Sequence, residues 1–466
     1  MEPEVSQLSL EASNSALNPL RDAKNWVPLL QEPAYKPRRI RIVCVGAGYS
    51  GLMTAYEVKY NTALEGFIDL TIYDKNEDVG GTWLENRYPG VACNVPAHIY
   101  TFPFEPNPDW STFYASGPEI WSYIKRTSGK YGLAEHVQLQ SKVVQATWDE
   151  PSSKWRLKIR QDGEEKEDEC NILIDGSGFL KNPSIDVAGK KVAVIGNGAS
   201  AIQVFPQLQK TAAQLTNYIH GTNFAFTEEE KKGFCVNPAS LFKLRREIEC
   251  SADNFFNIFF KDSAAQKAAL AQAHASMRER LGNDQELCDK LIPHYELGCR
   301  RAMVQITESG IQTTHEHTEF DIIVCATGFD VSYRPSWTVQ GRNGHQLNLA
   351  WSDSPEAYFG IAAANTPNYF IFNGPNSPVG HGSLLDNIFC VTKWILKWCR
   401  KMATEDIKSI CVKQEALDDY NTYSQEFLRG MVWSGSCRSW YKNGKSDGRV
   451  TALYAGSRHQ FRGMAR

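Results

Sequence analysis

The chain has 466 residues, 42% of them hydrophobic and 22% charged, with a formal net charge of −3. This is an ordinary globular composition in a chain too long for one core, so two or three domains are expected. The small net charge gives no reason to expect nucleic acid or an anionic membrane as partner. No apolar run approaches bilayer length and no basic-then-apolar leader opens the chain, which predicts a cytoplasmic protein without an integral membrane segment.

Residues 1–39 are polar and proline-punctuated and read as a surface extension with a short helix before Trp26. The first strong element is an apolar strand, Ile40 to Val45, running into a glycine turn and a helix over Leu52 to Tyr60. Its sequence, Val43-Cys-Val-Gly46-Ala-Gly48-Tyr-Ser-Gly51-Leu52, is a G-x-G-x-x-G. Gly46 permits the tight turn, Gly48 lets backbone approach a pyrophosphate, and Gly51 brings helix against strand. The helix N-terminus then offers unpaired N–H groups to the phosphates. The pattern alone is weak. It sharpens at Leu70-Thr-Ile-Tyr-Asp74, a second apolar strand ending in an acid placed to hydrogen-bond ribose hydroxyls. A carboxylate there disfavours a 2′-phosphate, so this site suits FAD or NAD.

Tyr131 to Arg160 reads as strands with a turn at Asp149-Glu-Pro-Ser152. The apolar run Ile172-Leu-Ile-Asp175 ends in Gly176-Ser-Gly178. The first arrangement then recurs, with Val192-Ala-Val-Ile-Gly196-Asn197-Gly198-Ala199-Ser200-Ala201 forming a G-x-G-x-x-A after the strand Lys191 to Ile195. Alanine at the third position suits a nicotinamide site. The next strand, Leu215 to Ile219, ends at His220, where an NADPH site would want an arginine for the 2′-phosphate. Histidine pairs with phosphate only when protonated, so nicotinamide binding and a retained, inactive unit both stay open. Phe234 to Leu297 is helical in pattern, with Ala264 to Leu281 an ordinary amphipathic segment, and Ile322-Ile-Val-Cys-Ala-Thr-Gly328 repeats the apolar run.

The repetition implies an α/β fold of two Rossmann-like dinucleotide-binding domains, the second inserted into the first. Residues 40–180 and 326–466 form the first, and 181–325 a shortened second with a helical insertion. The twelve cysteines are scattered and never form C-x-x-C, a pattern of reduced thiols. Cys44, Cys325 and Cys411 fall in apolar runs, which predicts burial. No metal-type cluster or Ser-His-Asp triad is discernible.

Beyond Asp74 the chain continues Asp78-Val-Gly80-Gly81-Thr82-Trp83 and Asn86-Arg-Tyr88-Pro-Gly90-Val-Ala92-Cys93. Phe113-Tyr-Ala-Ser-Gly-Pro-Glu119, Cys325-Ala-Thr-Gly-Phe-Asp330, Tyr369-Phe-Ile-Phe-Asn-Gly-Pro-Asn-Ser-Pro378 and Trp433-Ser-Gly-Ser-Cys-Arg-Ser-Trp-Tyr441 follow. Together these stretches resemble the Baeyer–Villiger flavin monooxygenases, particularly the fungal subfamily of secondary metabolism. The resemblance implies FAD and NADPH as cofactors, O2 as co-substrate and oxygen insertion into a ketone, here of polyketide type. It places Thr82, Trp83, Asn94, Val95 and Tyr100 along the flavin, and Ala92, Cys93 and Asn94 where nicotinamide meets flavin. Gly196 to Ser200 would cradle the NADPH pyrophosphate, Trp440 would pack on the nicotinamide cofactor, and Arg301 would steady negative charge on the oxygenated flavin, a role arginine fills without titrating. His381 would lie in a turn near the flavin.

Four features depart from the family. The linker motif F-x-G-x-x-x-H-x-x-x-W is missing, since Gly178-Phe-Leu-Lys-Asn-Pro183 runs almost directly into Val187. The stretches after Ile219 and Arg301 are trimmed. Asn94 stands where an aspartate is usual, and His220 replaces the phosphate-reading arginine. All four fall on the nicotinamide domain or its contact with the flavin. An FAD-binding protein with a lost or altered NADPH cycle (an oxidase, a non-redox catalyst or an accessory subunit) is therefore the alternative reading.

Overall fold

A computed structural model describes residues 37–178, 180, 189–196, 198–218, 260–280, 282–285, 288, 305–312, 317–380, 383–435, 439–445 and 447–464. In chain order the first half contains β1 (Ile40–Val45), α1 (Tyr49–Tyr60), β2 (Ile68–Tyr73), α2 (Gly117–Tyr131), β3 (Val137–Gln138), β4 (Ser141–Asp149), β5 (Lys154–Gln161), β6 (Glu164–Cys170) and β7 (Ile172–Asp175). The inserted unit follows with β8 (Lys191–Ile195), α3 (Ala199–Leu208), β9 (Gln214–Tyr218), α4 (Ala264–Arg280), β10 (Gln305–Ile306), β11 (Gly310–Gln312), β12 (His317–Glu319) and β13 (Ile322–Cys325). The chain ends with β14 (Thr338–Gln340), β15 (Tyr369–Ile371), α5 (Leu384–Thr404), α6 (Gln414–Arg429) and α7 (Arg458–Met464).

The first sheet has the order β15-β7-β1-β2-β3, with all its pairings parallel. Predominantly apolar strands such as β1 and β7 are what a parallel sheet covered on both faces requires. Because side chains alternate along a strand, β1 divides its residues between two cores. Ile40, Ile42 and Cys44 pack with the helical layer that includes Leu52 of α1 and Ile388 of α5. Val43 and Val45 pack with Trp148, Trp155 and Val339 of the sheet β14-β4-β5-β6. Burial of each such large side chain contributes about 1.5–3 kcal/mol.

The inserted unit repeats the plan on a smaller scale. Its parallel sheet has the order β13-β8-β9, and β10-β11-β12 form a separate antiparallel sheet. The repetition reaches single atoms. A Cβ on Gly46 would lie 2.5 Å from the Gly176 carbonyl oxygen, and one on Gly196 would lie 2.4 Å from that of Ala326. In each unit the first glycine of the loop is pressed against the chain leaving the neighbouring strand, at a φ of +108° and +120° respectively.

Two expectations are corrected. Tyr131 closes α2 and does not begin a strand. Ser116 caps that helix by accepting from the Glu119 amide, Gly132 ends it in the left-handed region, and the long strands start only at Ser141. Cys325 is exposed and Cys411 half-buried, whereas Cys44 is buried as expected. The difference for Cys325 lies in its sheet: β7 is buried along its length, while β13 is only half covered among the described residues. The cysteines described there are free thiols. The segment before Trp26, most of Phe234–Leu297, and Asn197, His220, Arg301 and His381 lie outside the described residues.

No described helix is long and apolar enough to cross a membrane, and no described His, Cys, Asp or Glu cluster would hold a metal ion.

Candidate functional site

The first glycine loop leaves no room for side chains. A Cβ on Gly51 would lie 2.2 Å from the Gly46 carbonyl oxygen, so α1 starts in direct contact with the end of β1. Gly48 faces Gly81, whose own Cβ would come within 2.9 Å of the Gly48 Cα. The Gly80-Gly81 turn thus rests on the loop, tied by the Gly80 amide donating to the Ala47 carbonyl at 3.0 Å. Asp74, 5% exposed, accepts from the Ala47 amide at 2.6 Å and from the Asn76 amide at 2.8 Å. Its carboxylate holds the loop's shape and retains lone pairs for a ribose.

Gly81 also caps the helical turn Thr82–Glu85, which aims Trp83 inward. The Trp83 indole donates to the Tyr100 hydroxyl at 3.2 Å, with the rings edge to face at 5.5 Å. Burial pushes the Tyr100 hydroxyl above its ordinary pKa, a shift opposed by the bond from Trp83. Gly117, the first residue of α2, brings the chain entering that helix close to both Trp83 and Val91. Ala92 bridges to Ser116, and the Cys93 amide donates to the Ala115 carbonyl at 3.0 Å. Burial raises the Cys93 thiol to about 11, so it is not a thiolate nucleophile near neutral pH. Asn94 is exposed beside it, and Val95 is half-buried.

The segment between β15 and α5 meets the Trp83–Tyr100 region at Ile99. Ser383 caps α5 and donates to the Ile99 carbonyl at 2.9 Å, one residue before Tyr100. Asn376 is 1% exposed, yet neither atom of its side-chain amide has a partner, and the Ser377 hydroxyl is likewise unpartnered. Leaving such groups buried and unsatisfied costs about 1–3 kcal/mol each, so a polar ligand or water must complete them. The cradle at Gly46 and Gly48 fits a dinucleotide, and the orphaned amide offers a polar group both a donor and an acceptor. The Asn-Gly-Pro-Asn-Ser-Pro stretch does not by itself assign Asn376 a role. Its signal was a polar pair beside a proline directly after an apolar strand.

The second loop leads into a helix that meets the Tyr88–Ala92 segment. Gly196, Gly198, Ala199 and Ser200 lead into α3, and Ser200 hydrogen-bonds the Tyr88 hydroxyl, which burial holds above its ordinary pKa. Trp440 lies on a single helical turn ending at Lys442, its ring tilted against that of Tyr441 at 4.4 Å. Lys442, which closes that turn, lines a cavity of about 660 Å³ together with Asp353, Lys445, Arg449 and Thr451 among others. The residues lining it are polar side chains and glycines. The structure therefore joins the first glycine loop through Gly81 to Trp83 and Tyr100, and sets Ser200 against Tyr88.

Residues 44–116 match the NAD(P)-binding Rossmann-like domain family. A FAD-binding monooxygenase of Aspergillus terreus is 41% identical over 502 residues, covering 94% of this chain and 89% of that protein. A Baeyer-Villiger monooxygenase of Pseudomonas aeruginosa is 31% identical, covering 92% of this chain and 90% of that protein. The closed crystal structure of cyclohexanone monooxygenase superposes with a TM-score of 0.74 at 20% identity, over 92% of this chain and 97% of that one, a likeness of fold.

Proposed function

This chain belongs to the FAD-binding monooxygenases that include the Baeyer–Villiger enzymes, and on that premise we propose that it oxygenates a small-molecule ketone with FAD, NADPH and O2. Bound FAD would supply the two-electron redox and oxygen chemistry that side chains lack, ending in oxygen insertion beside a carbonyl.

Gly46, Gly48 and Gly51 would hold the FAD pyrophosphate at the N-terminus of α1, with Asp74 at its ribose. Thr82, Trp83, Val95 and Tyr100 would flank the flavin from one side and Asn376 from the other, with Ala92, Cys93 and Asn94 at the mouth facing the nicotinamide. Gly196 to Ser200, Trp440 and His220 would take NADPH, and Arg301 would supply a fixed positive charge. We assign residues 40–180 and 326–466 to the FAD unit and 181–325 to the nicotinamide unit. The substrate class we favour is a polyketide-type ketone.

The observation that carries this reading is the continuity from Gly48 through Gly81 to Trp83 and Tyr100, a pyrophosphate cradle joined to an aromatic wall. Anaerobic mixing of the purified yellow protein with NADPH should bleach the flavin absorbance, and readmitting labelled oxygen with a ketone should put one labelled atom into an ester or lactone. The half-covered β13 favours the second reading, an FAD protein without an NADPH cycle. Under that reading the protein is yellow and NADPH leaves its spectrum unchanged.

A further inference from the structure

The two nucleotide units touch at a clasp outside both glycine loops. Tyr88 donates from its hydroxyl to the Gln203 Oε1 at 3.0 Å. The Gln203 amide nitrogen donates in turn to the Ala92 carbonyl at 2.8 Å. Gln203 lies on α3, one helical turn after Ser200, so the helix that starts at the second glycine loop reaches the first unit through this side chain. Both ends of its amide are used, one as acceptor and one as donor, on two residues of a single loop four positions apart.

The approach at the clasp is as close as backbone allows. Gly90, midway between Tyr88 and Ala92, has a φ of +80°, and a Cβ there would lie 2.3 Å from the Gln203 carbonyl oxygen. A glycine is needed both for the loop's turn and for the contact with α3. Ala92 is bridged to Ser116, and its neighbour Cys93 is bonded to Ala115, so the loop Gln203 holds is itself fixed to the wall containing Trp83.

We infer that Gln203 is a positioning residue that sets the separation between the nicotinamide-binding loop and the flavin-facing loop Tyr88–Cys93. The inference rests on the proposed reduction of FAD by NADPH and deepens it. Hydride transfer breaks a C–H bond of the dihydronicotinamide, which is oxidised, and delivers the hydrogen with its electron pair to the flavin, which is reduced. Such a step needs the rings in contact, and misplacement by about 1 Å costs on the order of 100-fold in rate. The clasp is a direct contact between the two units.

The test uses the FAD-loaded protein and two variants. Gln203→Met keeps length and bulk but removes both hydrogen bonds, whereas Gln203→Glu retains the acceptor for Tyr88. The expected result for Gln203→Met is unchanged FAD content, an NADP+ dissociation constant within about threefold of the parent, and loss of the long-wavelength charge-transfer absorbance that appears when NADP+ stacks on reduced flavin. Stopped-flow flavin reduction should fall tenfold or more at saturating NADPH, with Gln203→Glu intermediate in both readouts. If Gln203→Met fails to fold, Tyr88→Phe removes one arm of the clasp and should give a smaller change in the same direction. Parent-like absorbance and reduction rate in the variants would overturn the inference while leaving the proposed function intact. Failure of the parent protein to be reduced by NADPH would remove the proposed function and this inference with it.

Discussion

The Asp74 carboxylate accepts a hydrogen bond from the Ala47 amide at 2.6 Å, so the acid that closes β2 shapes the glycine turn that closes β1. Its other oxygen accepts from Asn76 at 2.8 Å. One side chain thus preorganises the loop and presents negative charge where a ribose would lie. Asp74→Asn keeps the size but offers a weaker acceptor and adds donors with no partner on the loop. We expect FAD affinity to fall by about 10–100-fold, the equivalent of about 1–3 kcal/mol for a buried charge-assisted bond. Fluorescence titration of the apoprotein with FAD measures it, and parent-like affinity would remove Asp74 from the site.

The matched contacts of Gly46 and Gly196 make a paired prediction. Gly46→Ala places a methyl group against the Gly176 carbonyl and should abolish FAD retention through purification. Gly196→Ala makes the corresponding clash with Ala326 in the other unit. It should leave the flavin spectrum intact and weaken NADP+ binding at least tenfold, read by flavin absorbance and by calorimetry with NADP+. Equal loss of FAD in both variants would mean that the two loops do not serve separate ligands.

How much of this was legible follows from the range of the interactions. β1, the two glycine loops and Asp74 were readable because the turn, the dipole and the strand-end acid are local and spaced by backbone geometry. Gln203 was not readable, because a glutamine on a helix reads as a solvated side chain until its partners Tyr88 and Ala92, more than a hundred residues earlier, are placed beside it. Asn376 was missed for a related reason: its orphaned amide is visible only once burial is known. The exposure of Cys325 likewise depends on what covers β13, which periodicity cannot tell.

Glu57 on α1 carries a pH prediction. It is 8% exposed, and burial raises its carboxyl above the ordinary range, opposed by Lys393 at 3.9 Å and by Asn61. A carboxyl whose folded pKa lies above its unfolded value contributes stability that is full below the unfolded pKa and is lost as pH rises through the folded one. Gln at this position mimics the neutral form at every pH. The melting temperature of Glu57→Gln relative to the parent should therefore rise between pH 4 and pH 7.5. A gap that is flat or that narrows with pH would show that Lys393 dominates.

Asp386 carries the last prediction. It lies in the first turn of α5 and pairs at 2.6 Å with Arg458, which is 1% exposed, and with Arg462 one turn further along α7. Both arginines belong to the final helix, so this carboxylate fastens the end of the chain to the helix that Ser383 caps against Ile99. Breaking a buried pair by removing one partner typically costs about 3–5 kcal/mol, because the remaining charge stays desolvated. Asp386→Ala should therefore lower the melting temperature by several degrees. Because α5 packs on α1 behind the glycine loop, FAD should also dissociate at lower denaturant concentration than in the parent. Monitoring tryptophan and flavin fluorescence in one urea titration checks both. Asp386→Asn, which keeps an acceptor for Arg458, should recover part of the loss; an Asn variant as weak as the Ala variant would assign the stability to the net charge at the helix N-terminus and not to the bond with Arg458.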